Sequence, residues 1–350
     1  MTTSATPAGP AAAVPAPTAD ITSPPARRPG GESGGRGESG GRGGPAGAGA
    51  RLDWRVNFAV LSLVWGFSFL LIKIGTDGYA PLQVSFGRML AGAAVLLTAL
   101  FARGGRLPRG FGVWWRLAVA AFLLNTLPWA LFAYSERLVP SQLAAIANAT
   151  SPLWGMLLAL VALREDRPTR RRLGGLVLGF VGVLTVLGAW QGFDGANPLG
   201  TVLALLASLS YPIGWIWVRR TLGGRPESHL ALSGTQLLLG AAEGAVAMAF
   251  GAGLPHHFPL GPTLAVLALG VFGTGIAMLL QYGLVAEVGP TVGQSVTYVI
   301  PVVATAAGVL LLGEALHWNT VVGAVIVLAG AALTQSRGPG GGRVRRGRRP

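Results

Sequence analysis

From Arg55 onward, long apolar runs alternate with short polar breaks. The runs occupy 55–74, 81–101, 114–134, 140–162, 171–189, 198–218, 229–250, 262–282, 290–312 and 317–335. Each is about 18 to 22 residues long, the length an α-helix needs to cross a hydrocarbon core of roughly 30 Å. The pattern predicts an all-α integral membrane protein of ten transmembrane helices. The seventh run, interrupted by Gly240, Glu243 and Gly244, carries the weakest signal.

The pattern is also written twice. Ala144 to Asp166 places a polar start, a proline, an apolar run and a glutamate in that order, and Gln294 to Leu316 does the same. Pro301 minus Pro152 is 149, and Glu314 minus Glu165 is 149. The same register pairs Val139 with Val288, Gly174 with Gly323 and Thr185 with Thr334. A constant offset inside matching hydropathy predicts a duplicated unit, with repeats at 55–189 and 198–335. Five spans is an odd number, so the second copy must cross the membrane in the opposite sense, giving two inverted five-helix repeats. The loops agree: the chain after the fourth run carries Arg164, Arg167 and Arg170 to Arg172, whereas Gly313 to Leu316 carries no Lys or Arg.

Composition supports the membrane and narrows the function. Of 350 residues, 51% are hydrophobic and only 11% are charged. The formal charge of +14 sits mostly in the tails and beside the runs, which marks membrane topology rather than a nucleic-acid surface. Arginines after the even-numbered runs, with Arg51 and Arg55 before the first, predict cytoplasmic termini. The Ala/Gly/Arg/Pro bias suits a high-GC bacterium and hence its cytoplasmic (plasma) membrane. Residues 1–50 and 336–350 are Gly-, Pro- and Arg-rich, and both are expected to be disordered tails. With no cysteine, thiolate metal sites and cysteine nucleophiles are excluded. His229, His256, His257 and His317 fall near run ends, so neither a metal nor a cofactor is expected, and no Walker A loop offers ATP coupling.

Several residues carry a resemblance. Trp65-Gly66-Phe67-Ser68-Phe69 with Lys73, then Pro81 followed by Phe86-Gly87-Arg88, then proline-bearing fourth and ninth runs ending in Glu165 and Glu314, together resemble EamA-type permeases of the drug/metabolite transporter superfamily. The resemblance covers nearly everything from Arg55 to Gln335. It implies small-molecule transport, commonly export of amino acids, metabolites or drugs.

Helical spacing nominates residues for a midplane substrate cavity. Asn125, Trp129, Phe132 and Glu136 share one stripe of the third run, and Thr274, Met278 and Gln281 share the equivalent stripe of the eighth. Asn148, Pro152 and Gly155 do so in the fourth, and Gln294, Tyr298, Pro301 and Thr305 in the ninth. Trp65 in the first run, with Tyr211 and Trp215 in the sixth, offers aromatic walls. Ordinary interhelical packing explains such seams as well as a cavity does. Pro152 and Pro301 each remove a backbone donor and read as kinks, either for packing or as hinges. Among ionisable residues inside runs, Lys73 reads as snorkelling to water or as an outer gate, and Arg88 and Glu243 as an ion pair or a coupling site. Glu165 and Glu314, at helix C-termini, read as structural end-markers.

The expected function is therefore a secondary transporter, an exporter of small organic metabolites or drugs, working by alternating access. The alternatives are an uncoupled facilitator and a non-transporting membrane scaffold or sensor. A membrane enzyme would call for clustered acids or histidines at the membrane edge, which the chain lacks. The expected partners are a small-molecule substrate and the lipid bilayer, with no nucleic acid, in a monomer or homodimer.

Overall fold

The computed structural model describes residues 53–162, 170–186, 197–288 and 290–335, and among them every regular element is a helix. The first part comprises α1 (Trp54–Gly78), α2 (Pro81–Ala102), α3 (Phe111–Glu136), α4 (Ser141–Asn148), α5 (Ser151–Ala162) and α6 (Arg170–Val186). The second comprises α7 (Pro198–Thr221), α8 (His229–Gly251), α9 (Leu260–Val288), α10 (Pro290–Leu312) and α11 (Trp318–Gln335). Six of these, α1, α2, α3, α7, α8 and α9, are long and apolar enough to cross a membrane, and α6, α10 and α11 contain shorter apolar stretches. The two tails and Glu165, with Arg164 and Arg167 beside it, lie outside the described residues.

Local chemistry sets the helix starts. The Asp53 carboxylate accepts from Arg55 N at 2.8 Å, Asn197 Oδ1 from Gly200 N at 3.1 Å, and Ser228 Oγ from Ala231 N at 3.2 Å. Each satisfies an amide that the first helical turn leaves without a partner. At α2, Pro81 opens the helix and Gln83 Oε1 reaches back to Ala80 N at 2.9 Å.

Two helices are not α-helical throughout. Phe122–Thr126 in α3 and Val271–Ile276 in α9 form π turns, and 271 minus 122 is 149, the offset of the sequence repeat. The causes differ locally. In α3, Leu127 N donates to the Phe122 carbonyl five residues back, Pro128 has no N–H to continue that register onto Leu123, and the Leu123 carbonyl instead accepts from Ser210 Oγ at 2.6 Å. In α9, Gly270, Gly273 and Gly275 lower the cost of widening, and Thr274 Oγ1 donates to the Leu269 carbonyl five residues back at 3.1 Å.

The fourth run, expected as one helix, is instead two, α4 and α5. Its break falls at Ala149–Thr150, where Thr150 Oγ1 donates to the Ala147 carbonyl at 2.6 Å and Ser151 Oγ to the Asn148 carbonyl at 2.7 Å. Hydroxyls compete there for carbonyls that a helix would use, and Pro152 supplies no N–H to win them back. The matching stretch of α10 reads Tyr298-Val299-Ile300-Pro301, without hydroxyls on Val299 and Ile300, and the helix runs through its proline unbroken. The two prolines thus do different things.

Helices one repeat apart pack antiparallel. Between α6 and α11, Gly323 lies against Val186, Gly182 against Val327, and Gly330 against Gly179, so numbers rise on one helix as they fall on the other. Between α2 and α8, Gly234 faces Leu97, Gly244 faces Phe86 and Gly251 faces Leu82. A Cβ built on Gly182 would meet Val327 N at 2.6 Å, and one on Gly323 would meet Val186 N at 2.6 Å, so at both places the backbones approach closely enough to require glycine.

Candidate functional site

At the centre of the bundle lie the π turns and what they hold. Arg88 of α2 donates from Nε to Thr274 Oγ1 in the α9 π turn at 2.9 Å, and its guanidinium carbon stands 4.0 Å from the Trp129 ring centroid. In the other direction, Gln236 of α8 donates from Nε2 to Asn125 Oδ1 in the α3 π turn at 2.6 Å. Thr274 and Asn125 are 149 apart, while Arg88 and Gln236 occupy nearly equivalent places on their helices. Each half therefore reaches across to the π turn of the other with one polar side chain. Thr126, beside Asn125, donates to Glu243 Oε2 at 2.7 Å. Asn125, Trp129 and Thr274 are all buried.

An aromatic file continues from this centre. Phe132 and Tyr211 stack with centroids 6.4 Å apart, and Phe69 meets the edge of Phe132 at 5.6 Å. Trp65 and Tyr211 pack on the same buried group, which includes Ala144, Ala147, Ile300 and Ala304 from α4 and α10. The broken fourth segment and its unbroken counterpart thus both border the aromatic file.

Beyond Phe132 the bundle is closed around three ionisable side chains, Lys73, Glu136 and Glu314. Lys73 Nζ donates to the carbonyls of Glu136 and, at 3.2 Å, Val139, placing a cation at the α3 C-terminus where the helix dipole favours one. Glu314, after α10, caps α4: Ser141 N donates to Oε1 at 2.7 Å and Ser141 Oγ to Oε2 at 2.9 Å. Gln142 Nε2 closes the same joint on the Ala315 carbonyl at 2.7 Å. The Glu136 side chain is 0% exposed and neither carboxylate oxygen has a hydrogen-bond partner. The charged groups acting on it are Lys73, Arg88 and Glu314.

Comparison with known proteins decides the family. The model of the EamA-like transporter family matches residues 54–188 and again 198–335, so the same model fits twice and together covers most of the chain. The chain belongs to the EamA-like transporter family. An Escherichia coli (strain K12) protein described as "Uncharacterized inner membrane transporter YedA" is 30% identical over 257 residues, spanning 73% of this chain and 82% of its own. A Salmonella typhimurium (strain LT2) protein described as "Probable amino-acid metabolite efflux pump" is 26% identical over 287 residues, 77% of this chain and 90% of its own. One solved crystal structure matches the fold with a TM-score of 0.57 at 22% identity, covering 81% of this chain and 96% of its own. This EamA-like protein is a multi-pass membrane transporter, and family and relatives alike are named as transporters, not enzymes.

Within this EamA-like fold, Asn125, Trp129 and Thr274 lie at the cross-repeat bonds, and Trp65 and Tyr211 along the aromatic file. Tyr298 does not join them; its hydroxyl donates to the Ala331 carbonyl of α11 at 3.1 Å. Trp215 is 57% exposed, because the buried face of α7 runs through Ala207, Ser210 and Gly214 and leaves Trp215 to one side. Asn148 and Pro152 are half-buried at the α4–α5 break, Gln281 is half-buried on α9, and Pro301 is buried in α10. The Gln294 side chain lies outside the described residues. Lys73 is turned inward; it binds the Glu136 carbonyl at the end of α3 and the Val139 carbonyl in the turn that follows. Arg88 and Glu243 do not pair with each other, since Arg88 goes to Thr274 and Glu243 receives Thr126. Glu136 stands on the polar stripe but two residues past the apolar run, which ends at 134, so the run alone does not mark it as an ionisable group inside the bundle. The signal was the stripe itself, which continues at 136 with the period of 125, 129 and 132.

Proposed function

We propose that this protein is a secondary transporter of small organic solutes that works by alternating access between two inverted five-helix repeats, ten spans in all, with both termini in the cytoplasm of a bacterial cell. The observation that carries this reading is the pair of cross-repeat bonds, Arg88 to Thr274 and Gln236 to Asn125. Two like elements that hold each other through like contacts can rock as rigid bodies about the site between them. The topology is supported by the bonds at the helix ends. Tyr79 meets Thr263 and Gln83 reaches the Gly253 carbonyl, all on the side that the arginine pattern makes external, while Arg116 meets the Thr221 carbonyl on the side it makes cytoplasmic.

The central site joins polar latches to an aromatic file, which suits solutes with one polar end and an apolar body. Trp65, Asn125, Trp129, Tyr211 and Thr274 are the residues that would meet the solute. Amino acids and their derivatives are the first solutes to test, given the printed description of the Salmonella relative, and export is the direction to test first. In proteoliposomes holding labelled amino acids, Asn125→Ala and Trp129→Ala should each lower flux while the protein remains folded; unchanged flux in both would remove this site. An uncoupled facilitator would show the same flux with and without a proton gradient. A scaffold or sensor would act through its tails, so deleting residues 1–50 and 337–350 should leave flux intact if transport is the function.

A further inference from the structure

We infer that Glu136 is the proton-carrying group of the transport cycle, an assignment that rests on the transporter reading above. Its carboxyl lies at the end of the aromatic file, fully buried, with neither oxygen hydrogen-bonded. The cations beside it are engaged elsewhere. On α1, Lys73 spends its ammonium on the carbonyls of Glu136 and Val139. On α2, Arg88 is bound to Thr274 and lies over Trp129. From the α10 end, Glu314 adds a like charge, itself bound to Ser141, and on α7 Tyr211 stacks on Phe132 one turn away. The neighbouring Arg137 is exposed, and α4 presents no titratable side chain.

A buried carboxyl without a donor is less costly neutral than ionised. Around it meet the two halves: Lys73 from α1 on the Glu136 carbonyl, Glu314 from the second repeat on Ser141, and the start of α7, where Ser135 Oγ donates to the Gly200 carbonyl at 2.7 Å. Opening that joint would return water to Glu136, and closing it would strip the water away. Proton binding and the change of access are therefore linked at one side chain, as a coupled carrier requires. The step is a proton transfer only: with the joint, at the external end of α3, open, the carboxylate gains a proton from external water, and with the joint closed and the bundle open inward the carboxylic acid gives it to water that enters past Trp129 and Phe132 from the cytoplasmic side.

The full chain, reconstituted in liposomes of phosphatidylethanolamine and phosphatidylglycerol, provides two measurements. In the first, flux of a radiolabelled amino-acid mixture is compared with and without an imposed pH gradient. The wild type and the distant control Glu227→Gln should respond to the gradient. Glu136→Gln should show equal rates in both conditions, and Glu136→Asp should recover part of the response. A gradient response that survives in Glu136→Gln, or a wild type that transports without any such response, would overturn the assignment. In the second, infrared difference spectra are taken as the buffer is stepped from acid to alkaline. A carboxyl band should vanish in the wild type, be missing from Glu136→Gln and return shifted in Glu136→Asp; identical spectra in wild type and Glu136→Gln would also overturn it. A wild type that moves no solute would count against the transporter reading, whereas the infrared result bears on Glu136 alone.

Discussion

At the scale of single residues, the side chains that matter most are those that replace a missing backbone partner or bridge the two halves. Glu314 does both, standing as N-cap to a helix 173 residues away in sequence. Its removal leaves the Ser141 amide and hydroxyl unsatisfied inside the bundle. Glu314→Ala should therefore cost about 1–2 kcal/mol, the usual worth of an N-cap, read as a lower unfolding midpoint in detergent; an unchanged midpoint would mean the cap is ornamental. Arg88 and Thr274 call for a double-mutant cycle. Arg88→Met and Thr274→Val should couple by roughly 0.5–3 kcal/mol, because each single change strands the other partner. Additive effects would deny the bond any weight. Legibility at this scale was uneven. Trp129 and Asn125 were readable from stripe spacing, since α3 keeps helical periodicity on one face despite its π turn. The partners of Arg88, Lys73 and Glu314 were not, because each partner lies far away in sequence and only the packing of helices decides which polar groups meet.

At the scale of elements, hydropathy located the helices well because each must hide its own backbone from lipid. The boundaries of α1, α2, α7 and α8 fall within a few residues of the predicted runs. What hydropathy could not show was continuity, since the break at Thr150 depends on hydroxyls bonding backwards rather than on apolarity. Close approach was half-visible: the glycines of α6 and α11 stood in the sequence, but their meeting needed the structure. Gly323→Leu should force α11 away from Val186 and Gly182, lowering the yield of monodisperse protein on size-exclusion chromatography. A control at Gly174, where an added Cβ meets nothing, should leave yield unchanged as Gly174→Ala.

At the scale of the whole molecule, the absence of cysteine makes topology directly measurable. A single cysteine placed at Gly110 should react with a membrane-impermeant thiol reagent only after cells are opened, and one at His256 should react in intact cells. The reverse result would invert the orientation derived from the arginines. The duplication was legible because it rests on a constant offset, which needs no contacts. The packing of the halves was not, because each contact is made between helices that the pattern treats singly. The matched π turns, finally, separate shape from spelling. Phe-Leu-Leu-Asn-Thr at 122–126 and Val-Phe-Gly-Thr-Gly at 271–275 share no residue at any aligned position, yet both widen the helix at the same place. Two unlike words therefore write one bend, and a search for such turns by residue identity would pass over both.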